Sequence, residues 1–128
     1  MSIPPSFDQQ VVFLPTRDLE RADRFYRGLL GLKLVIDQGV CRIYRTGPHA
    51  YVGVCEHLAD AAGDTRVIVT LVAEDVDGWY ERLSEAGVLF EEPPSRNDRF
   101  GIYHVFLRDP DGNLLEIQRF EDPAWPKT

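Results

Sequence analysis

Glu116 is the residue whose type and setting best suit chemistry. It lies in NLLEI, an aliphatic run carrying one carboxylate. A carboxylate on the inward face of a strand, in a partly apolar hollow, can hold a ligand or act as a general base. It can equally be a structural acid paired with an arginine or tyrosine. His104, beside Tyr103 in IYHVFLRD, can donate to a ligand or shuttle a proton, or serve as a satisfied structural histidine. His49 and His57 fall in turn and linker contexts and read as surface residues. Cys41 and Cys55 have no neighbouring pattern that argues for an activated thiolate, so they read as small buried hydrophobes. Arg96 and Arg99 sit in a polar loop that could close over a ligand or stay solvated.

The elements that must position these groups follow from periodicity. QVVFL (10–14) is a β-branched and aromatic run, hence a strand, with Pro15 near its end where a lost N–H is tolerated. Asp18 is a helix N-cap candidate, followed by Leu19, Ala22, Phe25, Tyr26, Leu29 and Leu30 at helical spacing and stopped by Gly31. LKLVID, CRIYRT and AYVGVCE are three strands separated by turns. After a linker at about 57–65 the pattern repeats. RVIVTLVA is a strand, Asp75 a second N-cap, and Val76, Trp79, Tyr80, Leu83 and Ala86 a second apolar stripe ended by Gly87. VLFEEP, IYHVFLRD and NLLEIQRF are strands, the first followed by the polar loop PPSRNDRFG. PDG makes the hairpin turn between the last two. Residues 1–9 read as an arm, and the tail EDPAWPKT as a short arm anchored by Trp125.

The order strand–helix–strand–strand–strand thus occurs twice, which is an internal duplication. The expected fold class is α+β: two βαβββ modules, about 10–56 and 66–120, in a single domain spanning 1–128, folded into a curved mixed cup. Its hollow is expected to take a small molecule. With period-2 geometry, Val11 and Phe13 share one strand face, as do Ile68, Thr70 and Val72. Phe13, Tyr44, Tyr51, Phe90 and Tyr103 give the candidate walls an aromatic character suited to a planar or hydrophobic ligand, or to ordinary core packing.

Composition bounds the partners. The 128 residues are 44% hydrophobic and 27% charged, as expected for a globular chain with a core of its own. The net charge of −7 argues against a nucleic-acid backbone or an anionic membrane, both of which require a basic face. No apolar run approaches membrane-spanning length. The opening MSIPPSFDQQ has neither the basic nor the apolar region of a signal peptide. A cytoplasmic protein with both thiols reduced is expected.

DLERADRFYRGLLGL, DVDGWYERLSEAGV and RDPDGNLLEI resemble the vicinal oxygen chelate superfamily, which holds glyoxalase I, bleomycin- and fosfomycin-resistance proteins and ring-cleaving extradiol dioxygenases. The resemblance runs from about Gln10 to Phe120. It implies two βαβββ modules forming a half-open curved mixed sheet with a ligand cavity inside the curve, looked into by Val11, Phe13, Ile68 and Thr70, with Tyr44, Tyr51 and Tyr103 among its walls. Metal-dependent members hold a divalent cation with His, Glu or Gln on inward strand faces. The positions that resemblance assigns here are Val11 (or Gln10, one residue off in register), one of Tyr51, Val52 and Gly53, Val67 or Ile68, and Glu116. Only Glu116 is a strong ligand, and three aliphatic or glycine positions offer no lone pair. No metal or other cofactor is therefore expected. VFLRDPDGNLLE is similar to the closing segment of the ring-cleaving enzymes, but no His precedes it in SRNDRFGIY, and Phe106 stands where Tyr is usual.

These features imply a metal-independent binder of a small, partly apolar molecule. The alternative is a lyase, isomerase or dioxygenase-like enzyme, with an atypical metal site or with acid/base chemistry at Glu116 and His104. Resemblance further implies a homodimer.

Overall fold

The computed structural model describes residues 7–62 and 67–126. Residues 1–6 of the expected arm, residues 63–65 of the linker, Arg66 at the head of the expected strand RVIVTLVA, and the last two residues of the tail lie outside the described residues. The chain forms two compact units, Met1–Ala62 and Gly63–Thr128. Each is a βαβββ module whose four strands make an open mixed sheet.

The first unit runs β1 (Gln10–Pro15), α1 (Leu19–Asp23) continued by a π-helical stretch (Arg24–Leu29), β2 (Lys33–Asp37), β3 (Cys41–Gly47), β4 (Ala50–Cys55) and a 3₁₀ segment (Glu56–Ala61). Its strand order is β1-β4-β3-β2, with β1 parallel to β4 and the other pairs antiparallel. The second unit repeats the plan with β5 (Val69–Val72), α2 (Val76–Glu85), β6 (Ser95–Asn97), β7 (Ile102–Arg108) and β8 (Leu114–Phe120), in the order β5-β8-β7-β6. Both helices start as the sequence dictates. The Asp18 carboxylate accepts from the Arg21 N–H at 3.1 Å, and the Asp75 carboxylate from the Gly78 N–H at 2.9 Å. Among the described residues no helix is long and apolar enough to cross a membrane.

One strand lies elsewhere than the sequence suggests. VLFEEP does not pair; Leu89 is 90% exposed and Phe90 packs edge-on against Tyr80. The pairing strand is instead β6, inside the stretch read as the polar loop. Ser95, Arg96 and Asn97 pair with His104, Tyr103 and Ile102, and the chain reverses through 98–101. Pro93 and Pro94 lack the N–H groups a ladder needs, so pairing begins only beyond them. Local polarity misled here because β6 is an edge strand that buries little.

In the first sheet, register sorts the side chains into two faces. Leu14, Tyr44, Val52 and Val54 are buried on the helix side with Ala22, Phe25 and Tyr26. Arg42, on the same face, donates to the Leu19 carbonyl and Glu20 of α1. The helix-free face carries Val11, Phe13, Ile43, Tyr51 and Gly53. A Cβ on Gly53 would come within 2.6 Å of the Phe13 ring, so this glycine lets the ring lie flat across the strands. In the second sheet, Val105, Leu107, Leu115 and Ile117 are buried with Val76 and Leu83 of α2. The C-terminal tail is anchored as expected, with Trp125 stacked on Phe120 at 3.7 Å.

The DPDGN turn owes its shape to Asp109, which is buried. One carboxylate oxygen accepts from the N–H groups of Asp111 and Asn113, both at 2.9 Å, and the other from the Asn113 amide at 2.8 Å. Gly112 takes a φ of 84°, which only glycine adopts cheaply. Asp109→Ala removes the acceptor of these three bonds and is expected to destabilise the second unit by about 2–4 kcal/mol, measured by denaturant unfolding.

A buried polar link ties β3 to the helical segment. The Tyr44 hydroxyl donates to Asp23 Oδ1 at 2.7 Å, and Arg27 binds Asp23 Oδ2 at 2.6 Å. Burial, then the hydrogen bond to Asp23 and its charge, push the Tyr44 phenol well above its ordinary range. Burial alone would raise the Asp23 carboxyl, but the bonds from Tyr44 and Arg27 outweigh it and hold that group below its usual value. The two contributions therefore bound a pH window. The Tyr44 contribution is complete below the unfolded pKa of about 10 and is lost only as pH rises through the elevated folded value. The Asp23 contribution is complete above about pH 4 and is lost as pH falls through its depressed folded value. Tyrosinate absorbance should accordingly show no fewer groups ionising near pH 10 in Tyr44→Phe than in the parent.

Candidate functional site

The helix-free face of the second sheet gathers the chemistry. Thr70 pairs with Glu116, Phe106 with Glu116, and His104 with Gln118, so all five project to the same side. Glu116 is buried, 7% exposed, and its two oxygens are held from three directions. The Thr70 hydroxyl donates to Oε1 at 2.8 Å and His104 Nδ1 lies 2.7 Å from Oε2. With its amide nitrogen turned to the carboxylate, Gln118 donates to Oε1 at 3.0 Å and Oε2 at 3.1 Å; the opposite orientation would set oxygen against oxygen.

This arrangement fixes the histidine. Nδ1 must carry the proton it donates to Glu116, so a neutral His104 presents a lone pair on Nε2. The Phe106 ring meets the imidazole edge-on, with centroids 5.1 Å apart, and limits its rotation. Around this polar centre lie exposed apolar side chains on the same strands or just ahead of them: Phe106 at 42%, Val72 at 58% and Ile68 at 47%. A carboxylate-oriented imidazole beside open apolar surface can hold a donor group of a ligand, or accept a proton from it.

The structure brings together Glu116, His104 and Thr70, with Ile68 immediately before β5. In the first unit Val11, Phe13 and Tyr51 share the helix-free face, with Val11 39% and Phe13 48% exposed. The Tyr51 hydroxyl accepts from Gln9 at 3.1 Å and from Arg45 at 3.3 Å. Two expected wall residues are corrected. Tyr44 faces α1, fully buried and stacked on Tyr26, because its register partner Val52 is on the helix side. Tyr103 faces α2, its hydroxyl bonded to Asp77 at 2.5 Å, because odd positions of β7 turn toward the helix. Arg96 is engaged by Glu121 at 3.0 Å. Gln118 was missed, although it stands two residues after Glu116 on one strand and so must share its face. Among the described residues, the cluster of potential metal donors is Cys41, Cys55 and His57. Here the expectation of reduced thiols is corrected: the two cysteines form a disulfide, because β3 and β4 set them directly opposite each other. The disulfide also removes reduced thiols as support for a cytoplasmic setting.

The sequence pattern of the Glyoxalase/Bleomycin resistance protein/Dioxygenase superfamily matches residues 9–117. The chain belongs to this superfamily. It is 27% identical over 119 residues to the uncharacterized protein YraH of Bacillus subtilis, covering 83% of this chain and 93% of that protein. Its fold is similar to that of a lactoylglutathione lyase from Agrobacterium tumefaciens, with a TM-score of 0.76 and 24% identity over 96% of this chain and 100% of the other. It is also similar to a bleomycin-binding protein in complex with bleomycin, with a TM-score of 0.74 and 23% identity over 90% and 100% of the two chains.

The side chains do not fit the divalent metal of the superfamily's metal-dependent members. In the first unit, Val11 and Gly53 offer no donor, Val52 faces the helix, and the Tyr51 hydroxyl is taken by Gln9 and Arg45. In the second, Val67 and Ile68 are aliphatic, and both oxygens of Glu116 are already bonded to protein donors. The closed disulfide leaves Cys41 and Cys55 without thiolates to offer.

Proposed function

We propose that the chain, working as a single domain of two modules, binds a small, partly apolar molecule without the superfamily's metal. The binding surface is the helix-free face of the second sheet. One observation carries this reading. The buried carboxylate of Glu116 is fully partnered by Thr70, His104 and Gln118, while apolar side chains beside it stay open to solvent. The polar centre orients, and the apolar rim supplies the area that drives binding. The bleomycin-binding protein lends support, as a similar fold that holds a small molecule.

Thermal unfolding in the presence of a library of aromatic and amphipathic small molecules tests the reading. A true ligand at a hundred times its dissociation constant is expected to stabilise by about 2.7 kcal/mol, and this shift should shrink in Phe106→Ala. A library without a single shift would sink it.

A second reading is favoured by the His104–Glu116 geometry itself. A histidine whose Nδ1 is fixed on a carboxylate is a general base at Nε2. An acid/base enzyme acting on the same bound molecule would use this pair with no further group. The proposal includes a homodimer. Val35 and Ile36, 49% and 48% exposed on the edge strand β2, offer unpaired backbone and apolar surface to a second copy. A monomer in sedimentation at micromolar concentration would remove this part.

A further inference from the structure

We infer that Cys41, Cys55 and His57 form a zinc site that the disulfide closes and reduction opens. The site belongs to the first unit, whereas Glu116 and His104 belong to the second, and it does not depend on the small-molecule reading. Cys41 opens β3 and Cys55 ends β4, paired in register with Cα atoms 4.2 Å apart. His57 follows two residues later in the 3₁₀ segment, and its Nδ1 lies 3.7 Å from Cys41 Sγ. One donor atom from each residue falls within 4.8 Å of the others. Two sulfurs on one zinc, each at about 2.3 Å, stand at most about 4.6 Å apart. Small side-chain rotations therefore convert this cluster into three corners of a tetrahedron.

The scaffold does not depend on the sulfur–sulfur bond. The Gln38 N–H donates to the Cys41 carbonyl at 2.7 Å, the Thr16 N–H to the Cys55 carbonyl at 3.1 Å, and the Glu56 N–H to the Val40 carbonyl at 2.9 Å. These bonds hold both backbones in place after reduction. The two cysteines are 6% and 1% exposed, while His57 is exposed, so an ion enters from the histidine side and keeps a fourth position for water. Two sulfurs and one imidazole suit zinc better than magnesium or calcium, which prefer oxygen.

The chemistry balances in two steps. A dithiol reductant gives two electrons and two protons to the Cys41–Cys55 bond and becomes its own disulfide. Zinc then replaces both thiol protons, which pass to solvent, and His57 binds as the neutral imidazole. In the reverse direction a partner disulfide takes the two electrons, draws two protons from solvent to become a dithiol, and leaves Cys41 and Cys55 joined and the ion expelled, so the site reports the dithiol–disulfide balance of its surroundings.

Cobalt(II) is the probe, since its thiolate charge-transfer and ligand-field bands report coordination. Full-length protein is reduced with a trialkylphosphine, freed of it under argon and titrated. About one cobalt per chain is expected, with a charge-transfer band that zinc abolishes, and no binding to the oxidised protein. Cys41→Ser and Cys55→Ser should each lose most of this band. His57→Ala should keep the sulfur band but bind at least about tenfold more weakly, the least that even an outer partner of a metal ligand costs. Far-UV circular dichroism should be unchanged by reduction. The inference is overturned if reduced protein binds no cobalt, if His57→Ala binds as tightly as the parent, or if reduction unfolds the chain.

Discussion

Tyr44→Ala is expected to destabilise the first unit by about 3–5 kcal/mol, the range for removing a large aromatic from a core. Tyr44 is completely buried, stacks on Tyr26 at 5.8 Å and donates to Asp23 at 2.7 Å. Removing the ring opens a void between sheet and helix and leaves Asp23 Oδ1 without the Tyr44 hydroxyl. Tyr44→Phe separates the two effects. It keeps the ring and removes only the bond to a charged acceptor, for about 1.5–3 kcal/mol. The Phe deficit should be largest near neutral pH and shrink below about pH 4, where Asp23 takes up a proton and no longer needs the donor. Equilibrium unfolding in urea across pH measures both. The experiment also decides which face Tyr44 serves. A wall of a ligand cavity would leave stability nearly unchanged and alter binding instead.

The misplacement of Tyr44 shows where sequence reasoning reached and where it stopped. Period-2 alternation sorts a strand into two faces, and it placed Val11 with Phe13 and Thr70 with Val72 correctly, since both pairs lie within one strand. Alternation alone does not relate one strand to the next. That Tyr44 opposes Val52, and so belongs with the helix, depends on the β3–β4 register. A one-residue slip would have sent it to the other face. Tyr103 fails for the same reason, while its neighbour His104 lands beside Glu116. The helix caps and the DPDGN turn were legible because their determinants are local: a carboxylate at a fixed offset from the N–H groups it accepts from. The edge strand β6 was not, because three polar residues pairing along one side leave no hydrophobic period to read. The disulfide was not legible either. Cys41 and Cys55 are 14 residues apart, and only the β3–β4 register shows that they meet.

Glu116→Gln is the substitution expected to act most strongly on function, and its two outcomes separate the two functional readings. Glutamine keeps the shape: its carbonyl oxygen, set at the Oε2 position, can still accept from His104, while its amide nitrogen at the Oε1 position donates to the Thr70 hydroxyl instead of accepting from it. It removes the charge and sets a second amide against Gln118. If the surface only binds, a neutral and partly apolar ligand keeps most of its contact area on Phe106, Val72 and Ile68. Its dissociation constant should then rise by no more than about tenfold, the worth of one ordinary hydrogen bond. If His104 is a base, its imidazolium forms beside a neutral amide in place of a carboxylate. Turnover should fall about 10²–10⁴-fold, with binding largely retained, as is typical when a positioned proton carrier is disabled. His104→Gln is the companion measurement. It removes the Nε2 lone pair but can still donate to Glu116, so an enzyme loses turnover again while a binder stays close to the parent. Isothermal titration with a ligand found by thermal shift, followed by product analysis of the same mixture, reads both quantities. If Phe106→Ala as well as both of these variants binds the ligand as the parent does, the Thr70–His104–Glu116–Gln118 cluster is packing alone. The ligand would then have to be sought on the other helix-free face, where Phe13 lies across Gly53.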